Sequence, residues 1–267
     1  MKTTLCVLMS ALLLITSWVY PVAADFENTH VLTGRRADDL VAVANTQVGY
    51  FEGSLSGSWE EHVSNNYQKY GVWYDEQVAN VNAANSSWQC TFVLWCADQV
   101  GIGFDTIPNT LYAPAMQAWF EERGLYHLSQ ANGGTYIPQV GDLVFFQNTG
   151  SDVVSSIGIV TEVTDTRVYM VQGNINWPTG EMAENGAVVG MNYVHHYSRL
   201  HGFATPAYRD LCGDANGDGQ VDTTDARVML LSMLSEVSER VWMYDVDLDG
   251  AVGTSDIRML LMDAVNG

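Results

Sequence analysis

Apolar and polar positions between residues 35 and 208 follow a helical spacing first and a strand-like spacing afterwards. Two segments with apolar residues three or four positions apart predict helices over 36–48 and 87–100, the second with Ser87 as its N-cap. Four later runs are short and rich in branched and aromatic residues, and they predict strands over 143–146, 157–163, 168–171 and 187–193. Because helices precede strands that tight turns separate, we expect an α+β domain with an antiparallel sheet.

The first 24 residues have the pattern of a secretory signal peptide. Lys2 precedes an apolar stretch over residues 5–19, and the small residues Ala23 and Ala24 close the segment. A membrane anchor is the alternative, but the stretch is shorter than the roughly 20 residues that a spanning helix needs. We therefore expect a signal peptide over 1–24 and a secreted, extracellular chain that does not remain in a membrane.

Two acidic loops, 31 residues apart, each precede a short apolar segment near the end of the chain. In both loops oxygen-bearing side chains recur at positions 1, 3, 5 and 12, and Gly219 or Gly250 occupies position 6, where the chain turns around the ion. Position 7 offers its backbone carbonyl, and a water completes position 9 of the second loop. The predicted ligands of two Ca²⁺ ions are Asp214, Asn216, Asp218, Gln220, Asp222 and Asp225, and then Asp245, Asp247, Asp249, Ala251 and Asp256.

The charge of the chain supports this interpretation of the tail. The net charge is −20, which argues against nucleic acid or an anionic membrane as a partner. From residue 210 onward there are 12 acidic residues against 3 Arg, and eight of these acids stand at predicted ligand positions. A solvated acidic tail is the alternative, but it does not explain two loops in register, each followed by an apolar segment (226–231 and 257–262).

Residues 212–265 resemble a type I dockerin. An ordinary EF-hand has a helix on both sides of its loop and Glu at position 12, whereas Asp225 and Asp256 stand there and no helical segment enters the first loop. The resemblance implies a small all-α domain over 209–267 that binds a cohesin domain of a scaffolding protein in a cellulosome. It also implies that Thr223, Thr224, Thr254 and Ser255 contact the cohesin. The Lys-Arg pair common later in such helices is replaced by Leu231-Ser232 and Met262-Asp263, which leaves the particular cohesin open.

Six motifs within residues 25–208 resemble, in order, the CHAP (cysteine, histidine-dependent amidohydrolase/peptidase) family. They lie at 44–54, 70–74, 138–146 and 157–160, together with Trp88-Gln-Cys90-Thr-Phe92-Val93-Leu-Trp95-Cys96-Ala97 and Gln172-Gly173-Asn174. The resemblance implies a papain-like, NlpC/P60-like fold with an antiparallel sheet. It also implies hydrolysis of peptidoglycan amide bonds by a Cys nucleophile, a His base and a polar orienting residue.

The family's three catalytic positions fall on residues that differ from the family pattern. Matched motif by motif, the nucleophile position is Gln89, the base position is Ser156 and the position of the orienting Glu is Gln172. An amide can still orient a neighbouring group, but Gln89 and Ser156 supply neither a thiolate nor a base. This pattern favours a domain that has lost catalysis, keeps its cleft and binds a peptide or a cell-wall ligand.

Cys90 leaves a second hypothesis open, because some CHAP sequences have Gln-Cys-Thr around their nucleophile. The chain would then be an active cysteine amidase or endopeptidase that uses Cys90 with a relocated His, for which His195 and His196 are candidates. Helical geometry opposes this, because position 89 lies near the middle of the predicted buried stripe and position 90 about a quarter-turn away. In the alternative interpretation, Cys90 and Cys96 are buried core residues.

The cysteine content excludes a disulfide-based scaffold. Only Cys90, Cys96 and Cys212 follow the predicted signal peptide, which is too few for such a framework. Cys90 and Cys96 are six residues apart on one predicted helix and cannot reach each other. The sequence leaves the disulfide state of Cys212 open.

Overall fold

The computed structural model describes residues 26–176, 186–208, 213–216, 221–235, 244–247, 249 and 251–266. The predicted signal peptide, Cys212 and the loop residues Asp218, Gly219, Gln220 and Gly250 lie outside these described residues. Within the described ranges, no helix has both the length and the apolar character needed to cross a membrane.

The larger domain combines helices with an antiparallel sheet. The helices of this region are α1 (Arg36–Thr46), α2 (Lys69–Gln77), α3 (Gln89–Gln99) and α4 (Ala113–Glu121). The strands are β1 (Tyr126–Leu128), β2 (Leu143–Gln147), β3 (Val154–Val163), β4 (Arg167–Ile175), β5 (Ala187–Val194) and β6 (Leu200–Ala204). They pair in the order β1-β6-β2-β3-β4-β5, and each pair is antiparallel. The predicted α+β class is therefore confirmed.

The elements predicted from apolar spacing correspond to α1, α3 and β2 to β5, whereas α2, α4, β1 and β6 were not predicted. The predicted N-cap of α3 is wrong. Trp88 occupies that position without a side-chain capping bond, and the hydroxyl of Ser87 donates instead to Gln89 Oε1 at 2.6 Å. The short polar side chain of Ser87 is therefore engaged by another side chain rather than by the helix backbone.

Two apolar clusters lie on opposite faces of the sheet, as expected from the alternation of side chains along a strand. On one face, Ile157, Ile159 and Val171 belong to a core that includes α1 and α3. On the other face, Val160 and Met170 belong to a second cluster. Helix α3 packs against α1, α2 and the sheet, so residues 90–97 are all buried and the buried surface is wider than the predicted stripe.

In the described part of the tail, α5 spans Thr223–Ser235 and α6 spans Thr254–Asn266. They pack against each other. Their shared core contains Ala226, Met229, Ile257 and Leu260, which stand at equivalent positions of the two repeats. Each helix therefore depends on the other for the burial of its apolar side chains.

Candidate functional site

The first turn of α3 is fixed against β4 by a close backbone approach. A Cβ at Gly173 would lie 2.7 Å from Trp88 Cζ3 and 2.8 Å from Phe92 Cβ, so only glycine lets the helix come this close. Trp88 is fully buried, and its indole N–H donates to Glu52 Oε2 at 2.8 Å. These contacts hold the family's nucleophile position, residue 89, beside β3 and β4.

The side-chain amide of Gln89 joins α3 to both neighbouring strands. Its Oε1 accepts from Ser87 Oγ at 2.6 Å and from Asn174 Nδ2 at 3.3 Å. Its Nε2 donates to the carbonyl oxygen of Ser155 at 3.2 Å. Ser155 lies in a bulge, because the β2–β3 register passes from Ser156 directly to Val154. The position predicted from the sequence for the nucleophile therefore carries a neutral amide with both ends bonded.

The other two family positions lie in the same part of the sheet. Gln172 is almost completely buried, and its Nε2 donates to the carbonyl oxygen of Ile157 at 3.3 Å. A Cβ at position 158 would lie 2.5 Å from Gln172 Cγ. Because Gly158 has no side chain, it leaves room for the side chain of Gln172. Ser156 is half-buried and pairs with Phe146 of β2. The amides of Gln89 and Gln172 thus bond to the carbonyls on either side of Ser156, and none of the three side chains can act as a thiolate or an imidazole base.

Cys90 is part of the core and not of this polar cluster. Its side chain is 1% exposed, and burial raises the pKa of the thiol to about 12. Burial likewise raises the pKa of Cys96, against the opposing charge of Lys69. Both cysteines are free and buried, which agrees with the interpretation of Cys90 and Cys96 as core residues.

All six histidines lie in the described part of the chain, and none of them is hydrogen-bonded to Cys90 there. His195 Nε2 bonds to the carbonyl of Thr164 at 2.8 Å, in the turn between β3 and β4. That turn is at the opposite end of these strands from Ser156 and Gln172, and His196 is exposed beside it. Of the remaining histidines, each bonds to a group other than a cysteine: His30 to Asp39, His62 to the Glu52 carbonyl, His127 to Thr205 and His201 to Tyr126.

Glu52 and Asn174 belong to two of the sequence motifs, but the motifs alone predict no role for either residue. Both contact the first turn of α3 or the residue that starts it. Asn174 has φ 58°, a left-handed conformation that Asn tolerates better than most residues. An Asn directly after Gly173 was the available signal for one of these contacts, because Asn after Gly favours a turn.

The second acidic loop brings its carboxylates together. One oxygen from each of Asp245, Asp247 and Asp249 lies within 4.8 Å of the others. Backbone N–H groups shape the loop around them, because Asp249 N donates to Asp245 Oδ1 at 3.1 Å and Ala251 N donates to Asp249 Oδ1 at 2.8 Å. A convergent set of carboxylate oxygens is the donor set that Ca²⁺ prefers.

Position 12 has the same arrangement in both loops. Asp225 and Asp256 are fully buried, and their carboxylates accept from backbone N–H groups of their own loops: Asn216 and Asp222 in the first, and Val246, Asp247 and Gly253 in the second. Asp214 and Asp245, at position 1, are buried as well. Several buried carboxylates in one small loop are favourable only when a cation compensates their charge, so these residues fit Ca²⁺.

The four predicted cohesin contacts are exposed and equivalent. Thr223 and Thr224 are the first two residues of α5, and Thr254 and Ser255 are the first two residues of α6. In each case they occupy positions 10 and 11 of an acidic loop, where the loop passes into the helix. Their role in docking stays a prediction.

Comparison with known proteins adds the following findings. The model of the CHAP domain matches residues 80–174, and the model of the type I dockerin domain matches residues 212–262. No curated protein matches the chain. A solved structure described as "The crystal structure of Ly7917" is similar at 16% identity and a TM-score of 0.30, over 66% of this chain. The match spans 63% of that other chain, and at this level it supports no conclusion about fold or function.

Proposed function

Because the chain carries a CHAP domain followed by a type I dockerin domain, we propose that it is a secreted docking component whose CHAP domain has lost catalysis and binds a peptide or a cell-wall fragment. Type I dockerin domains bind calcium and dock to cohesin domains, so the chain is a cellulosome-type component that carries a CHAP domain. Two calcium ions, one in each loop, are part of the proposal.

The observation that carries the proposed loss of catalysis is the bonding of Gln89. A cysteine nucleophile needs a thiol that a nearby base can deprotonate. At this position the chain has an amide that accepts from Ser87 and Asn174 and donates to Ser155. Both ends of the amide are bonded within the polar cluster of α3, β3 and β4. A neutral amide held in this way cannot lose a proton to a base as a catalytic thiol does.

Cys90 is a poor substitute for the missing nucleophile. It lies among apolar side chains, where burial raises the pKa of its thiol to about 12. In the described chain five of the six histidines bond to other groups, and His196 is exposed at the far end of β3 and β4. A catalytic cysteine is usually found in the opposite environment, partly exposed and close to positive charge. The structure therefore gives the active-enzyme hypothesis no support.

The ligand class follows from the groups that surround Gln89. Ser87 and Asn174 present a hydroxyl and an amide beside it, and Gln89 is half-buried rather than buried. Neutral donors and acceptors of this kind match the N–H and C=O groups of a peptide, including the stem peptides of a cell wall. We therefore propose a peptide-containing ligand rather than a bare sugar chain.

The test is co-sedimentation of the full chain with purified peptidoglycan, together with measurement of released fragments. We expect retention without release, and we expect Gln89→Trp to weaken retention at least tenfold because the indole would remove the amide to which Ser87, Asn174 and Ser155 bond. Gln99→Trp is the matched control, since Gln99 is also half-buried and lies at the other end of α3. Equal retention of both variants would contradict the proposed binding site.

A further inference from the structure

Helices α5 and α6 carry several large apolar side chains that are half-exposed. Leu230 is 49% exposed and Leu231 is 56% exposed on α5, and Leu261 is 37% exposed and Met262 is 53% exposed on α6. Within the described part of the tail, the core of the two helices is formed by other positions, such as Met229 and Leu260. Exposed apolar residues that cluster on one side of a helix are typical of an interaction surface.

Helical geometry places the exposed residues of α5 on one stripe. Thr223, Arg227, Leu230 and Leu231 follow one another at intervals of four, three and one residues, so their side chains share a face. Ala226 and Met229, which belong to the core, lie on the other side. The stripe therefore combines the predicted cohesin contact Thr223 with one arginine and two leucines.

The second helix repeats this stripe 31 residues later with Thr254, Arg258, Leu261 and Met262. The core positions repeat as well, because Ile257 and Leu260 correspond to Ala226 and Met229. Both helices thus present one hydroxyl-bearing residue, one arginine and two adjacent apolar residues. We call these two sets of four residues the docking stripes of α5 and α6.

We propose that the docking stripes select a cohesin whose contact surface is mainly apolar, not one whose surface presents a row of carboxylates. This inference rests on the proposed docking function and specifies its partner. Each stripe has a single positive charge within an acidic tail. It can therefore form few attractive charge interactions with a carboxylate-rich surface. Its central positions are leucines and a methionine, which gain most from being removed from water.

This chemistry has a measurable consequence for salt dependence. Attraction between opposite charges weakens as ionic strength rises, whereas burial of apolar surface does not. We expect the dissociation constant of the complex to change less than about threefold between 50 and 500 mM NaCl. We expect Leu231→Ala to weaken binding about five- to tenfold when Met262→Ala is also present, since each change removes a half-exposed apolar anchor.

The experiment uses the full chain with Ca²⁺ and a panel of recombinant type I cohesin domains, sorted into those with apolar and those with carboxylate-lined contact surfaces. Titration calorimetry at the two salt concentrations gives the dissociation constants. The matched pair of variants is Met262→Lys, inside the stripe, and Met259→Lys, at a methionine that is 42% exposed on the same helix but outside it. Each is combined with Leu231→Lys.

The inference predicts binding to the apolar cohesins, weak salt dependence, and loss of binding with Met262→Lys but not with Met259→Lys. Binding only to carboxylate-lined cohesins, with an affinity that falls steeply with salt, would overturn the inference and leave the docking function intact. Failure to bind any cohesin in the presence of Ca²⁺ would overturn the docking function, and the inference with it. Self-association of the chain that Met262→Lys abolishes would assign the stripes to a second copy instead and would also overturn it.

Discussion

Alkylation of Cys90 in the folded chain is expected to be at least about a thousandfold slower than in the unfolded chain. The thiol has a pKa of about 12 because it is buried. At pH 7.5 its thiolate fraction is therefore about 3 × 10⁻⁵, compared with about one-tenth for a free cysteine of pKa 8.5. Since the thiolate is the species that reacts, the ratio alone gives a reduction of about 3,000-fold, and restricted access adds to it.

The assay is reaction with iodoacetamide at pH 7.5, quenched at intervals and resolved by peptide mass spectrometry. The same chain in guanidinium chloride gives the unprotected rate for each cysteine. Cys96 is an internal control, because it is also buried and also has a pKa raised by burial. Modification of Cys90 at a rate within tenfold of the unfolded chain, while Cys96 stays protected, would refute the assignment of Cys90 to the core.

Three further predictions concern the acidic residues. A chelator should remove the helical circular dichroism of the tail and leave the larger domain folded, because the loop carboxylates repel one another without an ion; unchanged helicity would speak against this. Asp214→Ala together with Asp245→Ala should abolish cohesin binding in calorimetry, whereas each single change should leave part of it, since the two repeats are nearly equivalent; full loss from one change would show that they are not. Burial raises the pKa of Asp142 to about 6, so the folded state holds the proton more tightly between about pH 4 and 6, and the stability it contributes is lost as the pH rises through that window. Asp142→Asn should therefore increase the free energy of unfolding at pH 7.5 by about 1–3 kcal/mol in urea titrations. A gain of the same size at pH 4 would contradict that explanation.

The sequence was most informative where one physical rule dominates. Apolar periodicity predicted α1, α3 and the four central strands, because their buried residues recur at regular intervals. Ligand spacing predicts two acidic calcium loops, since calcium requires oxygens at defined positions, and the ligand sets stay a prediction. Helix α2 was missed because its nine residues include a glycine, Gly71, and its start is set by a side chain outside the helix: Gln68 Oε1 accepts from Gly71 N.

The arrangement around residue 89 could be predicted only in part. Matching motifs assign Gln89, Ser156 and Gln172 to the family's catalytic positions, and this assignment stays a prediction. The bonds of Gln89 depend on a bulge at Ser155 and on the left-handed turn at Asn174. Both are consequences of how β3 and β4 pack against α3, and local sequence does not encode them directly. The burial of Cys90 depended likewise on helices that pack around α3 from outside its own segment.

The most direct test of the central claim is the release of soluble fragments from purified peptidoglycan by the wild-type chain and by Cys90→Ala, side by side. The measurement is reducing-end and free-amine release over a day at neutral pH, with binding recorded in the same tubes. We predict binding by both proteins and release by neither, because in the proposed function Gln89 and Ser156 stand at the nucleophile and base positions and can supply neither group. Release by the wild type that disappears in Cys90→Ala would contradict the account and identify Cys90 as the nucleophile.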